Sequence, residues 1–98
     1  MNYKLLQIKD VENCPYVFGG FNTAMKNNFS LDDYEVVYTG NIKAGEATEI
    51  LEVLFDIFNI SHPTDFTGRS MSVSDVVDLD GKLYYCDHVG FKEITRLR

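Results

Sequence analysis

The stretch that decides the fold is Arg69-Ser-Met-Ser-Val-Ser-Asp-Val-Val-Asp-Leu-Asp-Gly-Lys-Leu-Tyr-Tyr-Cys-Asp-His-Val-Gly-Phe91. Within it, two runs rich in β-branched or aromatic residues, 72–79 and 82–88, flank the dipeptide Asp80-Gly81. Asp-Gly between such runs is the strongest short-range indication of a β-hairpin. A glycine then interrupts the pattern before a last apolar run over 91–97. The stretch therefore predicts three consecutive antiparallel strands.

The sequence before this stretch predicts two more strands and two helices. Runs 3–9 and 34–42 have strand composition, whereas 21–28 and 45–60 place apolar residues at helical spacing. The resulting order, β-α-β-α-β-β-β, predicts an α+β fold with a mainly antiparallel sheet of about five strands and two helices packed on one face. A chain of 98 residues suits a single domain over 1–98.

Composition excludes several classes of protein. A hydrophobic fraction of 45% and a charged fraction of 24% are typical of a soluble globular protein. No apolar run approaches the roughly 20 residues of a membrane span, and the N-terminus lacks a signal-peptide core, so we expect a cytoplasmic protein. Cys14 and Cys86 are far apart and have no metal-ligand spacing. We therefore expect no metal and no other cofactor.

The net charge of −6 originates in one segment. Between residues 30 and 56 there are seven acids and one base, Lys43, while the charges elsewhere cancel. Because nucleic-acid-binding proteins carry a basic patch, we expect no direct binding to nucleic acid. We do expect attraction to a basic partner protein. The acids of the predicted helix 45–60 recur at spacings of three and four, opposite its apolar face: Glu46, Glu49, Glu52 and Asp56. They are either an ordinary solvated face or a candidate binding surface.

A second candidate site lies at the entry to the hairpin. Alternate serines, among them Ser72 and Ser74, share one face of the predicted strand beside Arg69, and arginine with hydroxyls suits an anion. Hairpin pairing brings Asp75 towards His88, so serine, aspartate and histidine compose a possible catalytic set. The G-x-S-x-G motif is absent, and serine and aspartate at a strand entry ordinarily bond to their own backbone. We therefore predict a polar site without a catalytic residue.

Two parts of this sequence resemble the YodL-like domain. They are Gly-Arg-Ser-Met-Ser-Val-Ser-Asp-Val-Val at 68–77 and Tyr-Tyr-Cys-Asp-His-Val-Gly-Phe-Lys-Glu at 84–93. Leu-Asp-Asp-Tyr-Glu-Val-Val-Tyr at 31–38 and His-Pro-x-Asp-Phe at 62–66 also fit. The resemblance implies a small bacterial domain that occurs alone or within larger proteins of phages, plasmids and conjugative elements. It implies no enzymatic activity.

Three functional hypotheses follow. The first is a non-catalytic accessory domain of a mobile element that binds another protein. The second is a DNA mimic or anti-defence inhibitor, which requires the acids of residues 32–56 to lie on one surface. The third is a small enzyme, which requires Ser72 or Ser74, Asp75 and His88 within hydrogen-bonding reach. The sequence leaves the oligomeric state open.

Overall fold

Five antiparallel strands form one sheet in the computed structural model, which describes residues 1–94. The strands are β1 (Asn2–Ile8), β2 (Tyr34–Asn41), β3 (Val76–Leu79), β4 (Lys82–Cys86) and β5 (Phe91–Glu93). The helices are α1 (Phe21–Lys26) and α2 (Ala47–Ile60), and a 3-10 turn spans Leu31–Asp33. The α+β class, the five-stranded antiparallel sheet and the two helices are confirmed. The predicted continuation of the last strand over 95–97 lies outside the described residues.

The first strand of the chain lies inside the sheet, whose order is β2-β1-β3-β4-β5. β1 pairs with β2 on one side and with β3 on the other, so that Leu5 lies opposite both Tyr38 and Val77. A bulge at Leu5/Leu6 shifts the register between β1 and β2. β1 is therefore shielded along both of its edges.

The two helices pack against opposite faces of the sheet, which corrects the prediction of a single covered face. Val77 packs with Leu51, Leu54 and Phe58 of α2, whereas its neighbour Val76 packs with Ala24 of α1. Successive side chains of a strand point to opposite faces, so the two valines fill two separate cores. A Val-Val pair in a strand indicates burial on both faces. We call these faces the α2 face and the α1 face.

The Asp-Gly hairpin is confirmed. Asp80 and Gly81 have φ values of 50° and 92°, and Leu79 pairs with Lys82 across the two-residue turn. Positive φ at both central residues is the geometry of a type I′ turn, which matches the twist of the flanking strands.

The strand before the turn is shorter than predicted, and this corrects the placement of the serines. β3 begins at Val76 because Ser74 has a φ of 85°, which interrupts extended backbone. Residues 72–75 form a turn in which the N–H of Asp75 donates to the carbonyl of Ser72 at 3.1 Å. Ser72 and Ser74 therefore do not share one face of a strand.

α2 is the main apolar anchor of the α2 face. Its inner side buries Ile50, Leu51, Leu54 and Phe58. The Phe58 ring packs edge-on against Phe66, with ring centroids 4.9 Å apart. Burial of a large apolar side chain contributes roughly 1.5–3 kcal/mol before entropy is deducted, so this side of the helix fixes its orientation. The opposite side of α2 is left facing solvent.

Candidate functional site

The outer side of α2 carries the four acids predicted from the sequence. The side chains of Glu46, Glu49, Glu52 and Asp56 are all exposed. Glu46 precedes the first helical turn and Glu49 lies within it, where the helix dipole favours negative charge. α2 contains no lysine or arginine. Carboxylates on this side therefore have no basic neighbour on their own helix.

Two branched apolar side chains interrupt the acidic stripe. Val53 is 47% exposed and Ile60 is 78% exposed. Val53 lies four positions after Glu49, and Ile60 lies four after Asp56, so apolar and acidic side chains alternate along one line of the helix. The stripe is thus a mixed surface of carboxylates and exposed hydrophobic groups.

The acids between residues 32 and 56 do not form one surface. The carboxylate of Asp33 accepts a hydrogen bond from the hydroxyl of Tyr16, which is buried in the cluster on the α1 face. The acids of α2 lie on the other side of the sheet. The single surface required by the DNA-mimic hypothesis is therefore not formed.

The hairpin entry contains a buried carboxylate, Asp75, whose side chain is 0% exposed. Its Oδ2 accepts hydrogen bonds from the backbone N–H of Ser72 and from Nε2 of Gln7, both at 3.0 Å. Its Oδ1 is buried without a hydrogen-bond partner. Burial raises the pKa of Asp75 to about 6, although the two N–H donors and the charge of Arg69 act in the opposite direction.

Gln7 is a site residue that the sequence analysis missed. Its side chain is 1% exposed. Its Nε2 donates to the carbonyl of Arg69 at 2.8 Å, and its Oε1 accepts from the Arg69 N–H at 3.0 Å. A Cβ on Gly68 would lie 2.8 Å from that Oε1, so only glycine lets the chain pass this close. Gln7 follows Tyr3 and Leu5 on the side of β1 that lies in the α2 face, and a polar residue in such a series indicates a buried hydrogen bond.

Both backbone groups of Ser74 and its hydroxyl oxygen take part in hydrogen bonds. Its N–H donates to the carbonyl of Cys86 at 2.9 Å, and its carbonyl accepts from the hydroxyl of Tyr34 at 2.6 Å. Its Oγ accepts from the backbone N–H of Phe18 at 2.9 Å, and the residue is 1% exposed. The hydroxyl is engaged in holding another loop and is closed off from solvent.

The hydrogen bond of His88 leads to neither Ser74 nor Asp75. The residue is exposed, and its Cδ2 would come 2.9 Å from a Cβ on Gly20. The carboxylate beside it, Asp87, accepts from the N–H of Phe21 at 3.0 Å and of His88 at 2.9 Å. The Phe21 N–H holds the pKa of Asp87 below its ordinary value.

The predicted catalytic set is not assembled among residues 1–94. The hydrogen bonds of Ser74, Asp75 and His88 lead to three different groups and do not join these residues to one another.

Arg69 is exposed, and its Nη1 lies 3.5 Å from the carbonyl of Ile8. Burial raises the pKa of the neighbouring Cys86 thiol to about 12, so this cysteine stays protonated. The hairpin entry is a network that joins segments of the chain.

Two open cavities lie away from every predicted site residue. A groove of about 950 Å³ runs between α1 and β4, with Phe21, Met25 and Leu83 in its lining. A depression of about 550 Å³ lies beside the hairpin turn, with Lys4 and Asp78 in its lining. Within residues 1–94 no group of three or more potential metal ligands comes together. Over the same residues no helix has the length and apolar character to span a membrane.

Comparison with known protein families identifies the family of this chain. A family model described as the YodL-like domain matches residues 2–96. No curated protein matches the chain significantly, and no solved structure does.

Proposed function

Because this chain belongs to the YodL-like domain family over almost its whole length, we propose that it is a non-catalytic accessory domain of mobile genetic elements that binds another protein. The mobile-element setting rests on the resemblance of the sequence to that family. We place the protein in the cytoplasm, where its two free cysteines, Cys14 and Cys86, stay reduced. A gene neighbourhood without phage, plasmid or conjugation genes would contradict the setting.

The outer side of α2 is the observation that carries the binding proposal. Protein interfaces combine desolvated apolar anchors with a polar rim, and complementary charge directs the encounter of the partners. Val53 and Ile60 supply the anchors, and Glu49, Glu52 and Asp56 supply the charge. A partner with an apolar strip bordered by lysine or arginine fits this surface.

The partner's charge determines how binding depends on salt. Exposed charges are screened beyond a Debye length of about 10 Å at 0.1 M salt. Contacts at the rim of an interface mainly accelerate association, whereas buried apolar anchors slow dissociation. We therefore expect raised salt to reduce the association rate and substitution of Val53 to increase the dissociation rate.

Co-purification from the bacterial host tests the proposal. Tagged wild-type protein is expected to retrieve a specific partner, and the double variant Glu49→Lys/Glu52→Lys is expected to retrieve at least tenfold less. A matched control, Glu12→Lys/Glu35→Lys, makes the same change in net charge at exposed positions outside α2 and is expected to retain the partner.

Two results would contradict the proposal. One is that wild-type protein retrieves no specific partner. The other is that both double variants lose the partner equally, which would show dependence on net charge instead of on the α2 surface.

A further inference from the structure

Phe18 combines a rare backbone conformation with an exposed aromatic ring. Its φ is 60°, in the left-handed region, and its side chain is 49% exposed. A bulky residue there is an outlier, since its Cβ crowds the following carbonyl. Asn28 and Asp80 also have positive φ, but asparagine and aspartate tolerate this region. Phe18 is therefore a residue that its local conformation disfavours.

Buried polar groups hold Phe18 in this conformation. Its N–H donates to the Oγ of Ser74, a buried residue that itself has a φ of 85°. The hydroxyl of Tyr34 fixes Ser74 through its carbonyl at 2.6 Å. On the other side of Phe18, the hydroxyl of Tyr85 donates to the Gly19 carbonyl at 2.7 Å. Strained residues persist when their surroundings determine them this strongly, and they concentrate at functional sites.

The fold itself gains little from the ring of Phe18. Adjacent members of the same loop, Tyr16 and Phe21, pack into the core on the α1 face, whereas Phe18 lies outside that cluster. Glycine at position 18 would adopt the same φ without steric cost, and its N–H would still reach Ser74. The chain instead places glycine at the next position. The side chain at position 18 therefore serves something other than the turn.

We propose that Phe18 is the aromatic anchor of a second protein-binding surface, which inserts into an apolar pocket of a partner protein. The loop 16–21 meets the turn 87–90, since the N–H of Phe21 bonds to Asp87 and His88 lies against Gly20. In that turn Val89 is a second exposed apolar side chain, with 85% of its surface accessible. Exposed aromatic side chains held rigidly are typical interface anchors because little entropy is lost on binding.

The charge of the chain favours a protein over the other possible occupants. A net charge of −6 opposes approach to an anionic membrane surface and to a second copy of the same chain. This surface belongs to the α1 face and is separate from the outer side of α2. The inference therefore does not depend on the acidic stripe.

Thermal unfolding of the isolated protein tests whether the ring of Phe18 contributes to the stability of the fold. Phe18→Gly removes the ring and relieves the positive-φ strain, so its melting temperature is expected to equal or exceed that of wild type. Asn28→Gly is the matched control, because Asn28 has the same φ of 60° and is exposed elsewhere. A clear fall in melting temperature for Phe18→Gly alone would show that the ring supports the fold, and would overturn the inference.

Photo-crosslinking in the host tests whether Phe18 contacts a partner protein. The full chain carries p-benzoylphenylalanine at position 18 or, as control, at the exposed position of Val36 on β2, which is 50% exposed. Position 18 is expected to give one specific protein adduct that position 36 does not. Wild type and Asn28→Gly should compete for it, and Phe18→Gly should compete at least tenfold less well.

Four outcomes overturn the inference: no adduct, the same adduct from position 36, an adduct only with the chain itself, or equal competition by Phe18→Gly. Sedimentation with vesicles of phosphatidylglycerol and phosphatidylcholine that requires Phe18 would assign the ring to a membrane instead. The Glu49→Lys/Glu52→Lys variant examines the other surface, so failure here and failure of the α2 proposal are distinguishable.

Discussion

At the scale of single residues, Asp75 makes the stability of the fold depend on pH. Its folded-state pKa of about 6 lies above the ordinary value of 3.8, because burial disfavours the charged form. Between about pH 4 and pH 6, Asp75 therefore carries its proton in a larger fraction of folded molecules than of unfolded molecules. The stabilising contribution of the protonated form is fully present below about pH 4 and is lost as the pH rises through about 6.

Asp75→Asn is expected to remove this pH dependence. A difference of about two pH units between folded and unfolded states corresponds to about 3 kcal/mol. Relative to wild type, the variant should therefore gain up to about 3 kcal/mol between pH 4 and pH 8. Urea unfolding across this range measures the gain, with Asp56→Asn as a control that removes an exposed carboxylate. Parallel pH profiles for wild type and Asp75→Asn would contradict the assignment.

Residue-scale features were predictable only where the determining interactions are local. The Asp80-Gly81 turn followed from two adjacent residues. The conformations of Phe18 and Ser74 depend on a hydrogen bond between residues 56 positions apart, which no local pattern contains. The role of Gln7 likewise depends on Arg69, which is 62 positions away.

At the scale of elements, α2 was the best-predicted part of the molecule. Its apolar spacing identified the helix, whose inner side buries Ile50, Leu51, Leu54 and Phe58. β3 was predicted four residues too long, because composition continues through Ser72–Asp75 while the backbone turns at Ser74. The sides on which the helices pack were not predictable from their own sequences, and the prediction of a single covered face was wrong.

Substitutions along α2 should separate its two sides. Leu54 is 1% exposed, so Leu54→Ala is expected to lower the free energy of unfolding by about 2–5 kcal/mol. Val53 is 47% exposed, and Val53→Ala is expected to change it by no more than about 0.5 kcal/mol. Urea unfolding measures both. A cost for Val53→Ala comparable to that of Leu54→Ala would place Val53 in the core and remove it from the proposed interface.

At the scale of the whole molecule, β3 contributes to both apolar cores, as β1 does through Leu5 and Ile8. Val77 belongs to the cluster on the α2 face and Val76 to the cluster on the α1 face. Loss of either cluster deprives β3 of half its packing. The two faces are therefore expected to unfold together, as is usual for a domain of this size.

Amide hydrogen exchange tests this coupling. The side chain of Tyr85 packs on the α1 face. In Leu54→Ala, the free energy of exchange is expected to fall by about the same amount for the Tyr85 amide as for amides within α2. Unchanged protection of Tyr85 would show that the α1 face unfolds independently.

The strand order was the part of the whole molecule that the sequence concealed. Pairing of β1 with β3 joins residues such as Leu6 and Val76, which no local pattern relates. Separation of the acids onto two faces follows from the same topology, and the sequence alone did not reveal it.

The position of β1 inside the sheet has a consequence for synthesis on the ribosome. β1 ends at Ile8, and its second neighbour β3 begins at Val76. At a translation rate of about 5–20 residues per second, several seconds pass before the nascent chain contains both strands. During that time β1 and β2 can form only a two-stranded ribbon, which is marginal in water. We therefore expect this domain to acquire its structure only after β3 has been synthesised, with chaperone access to β1 until then.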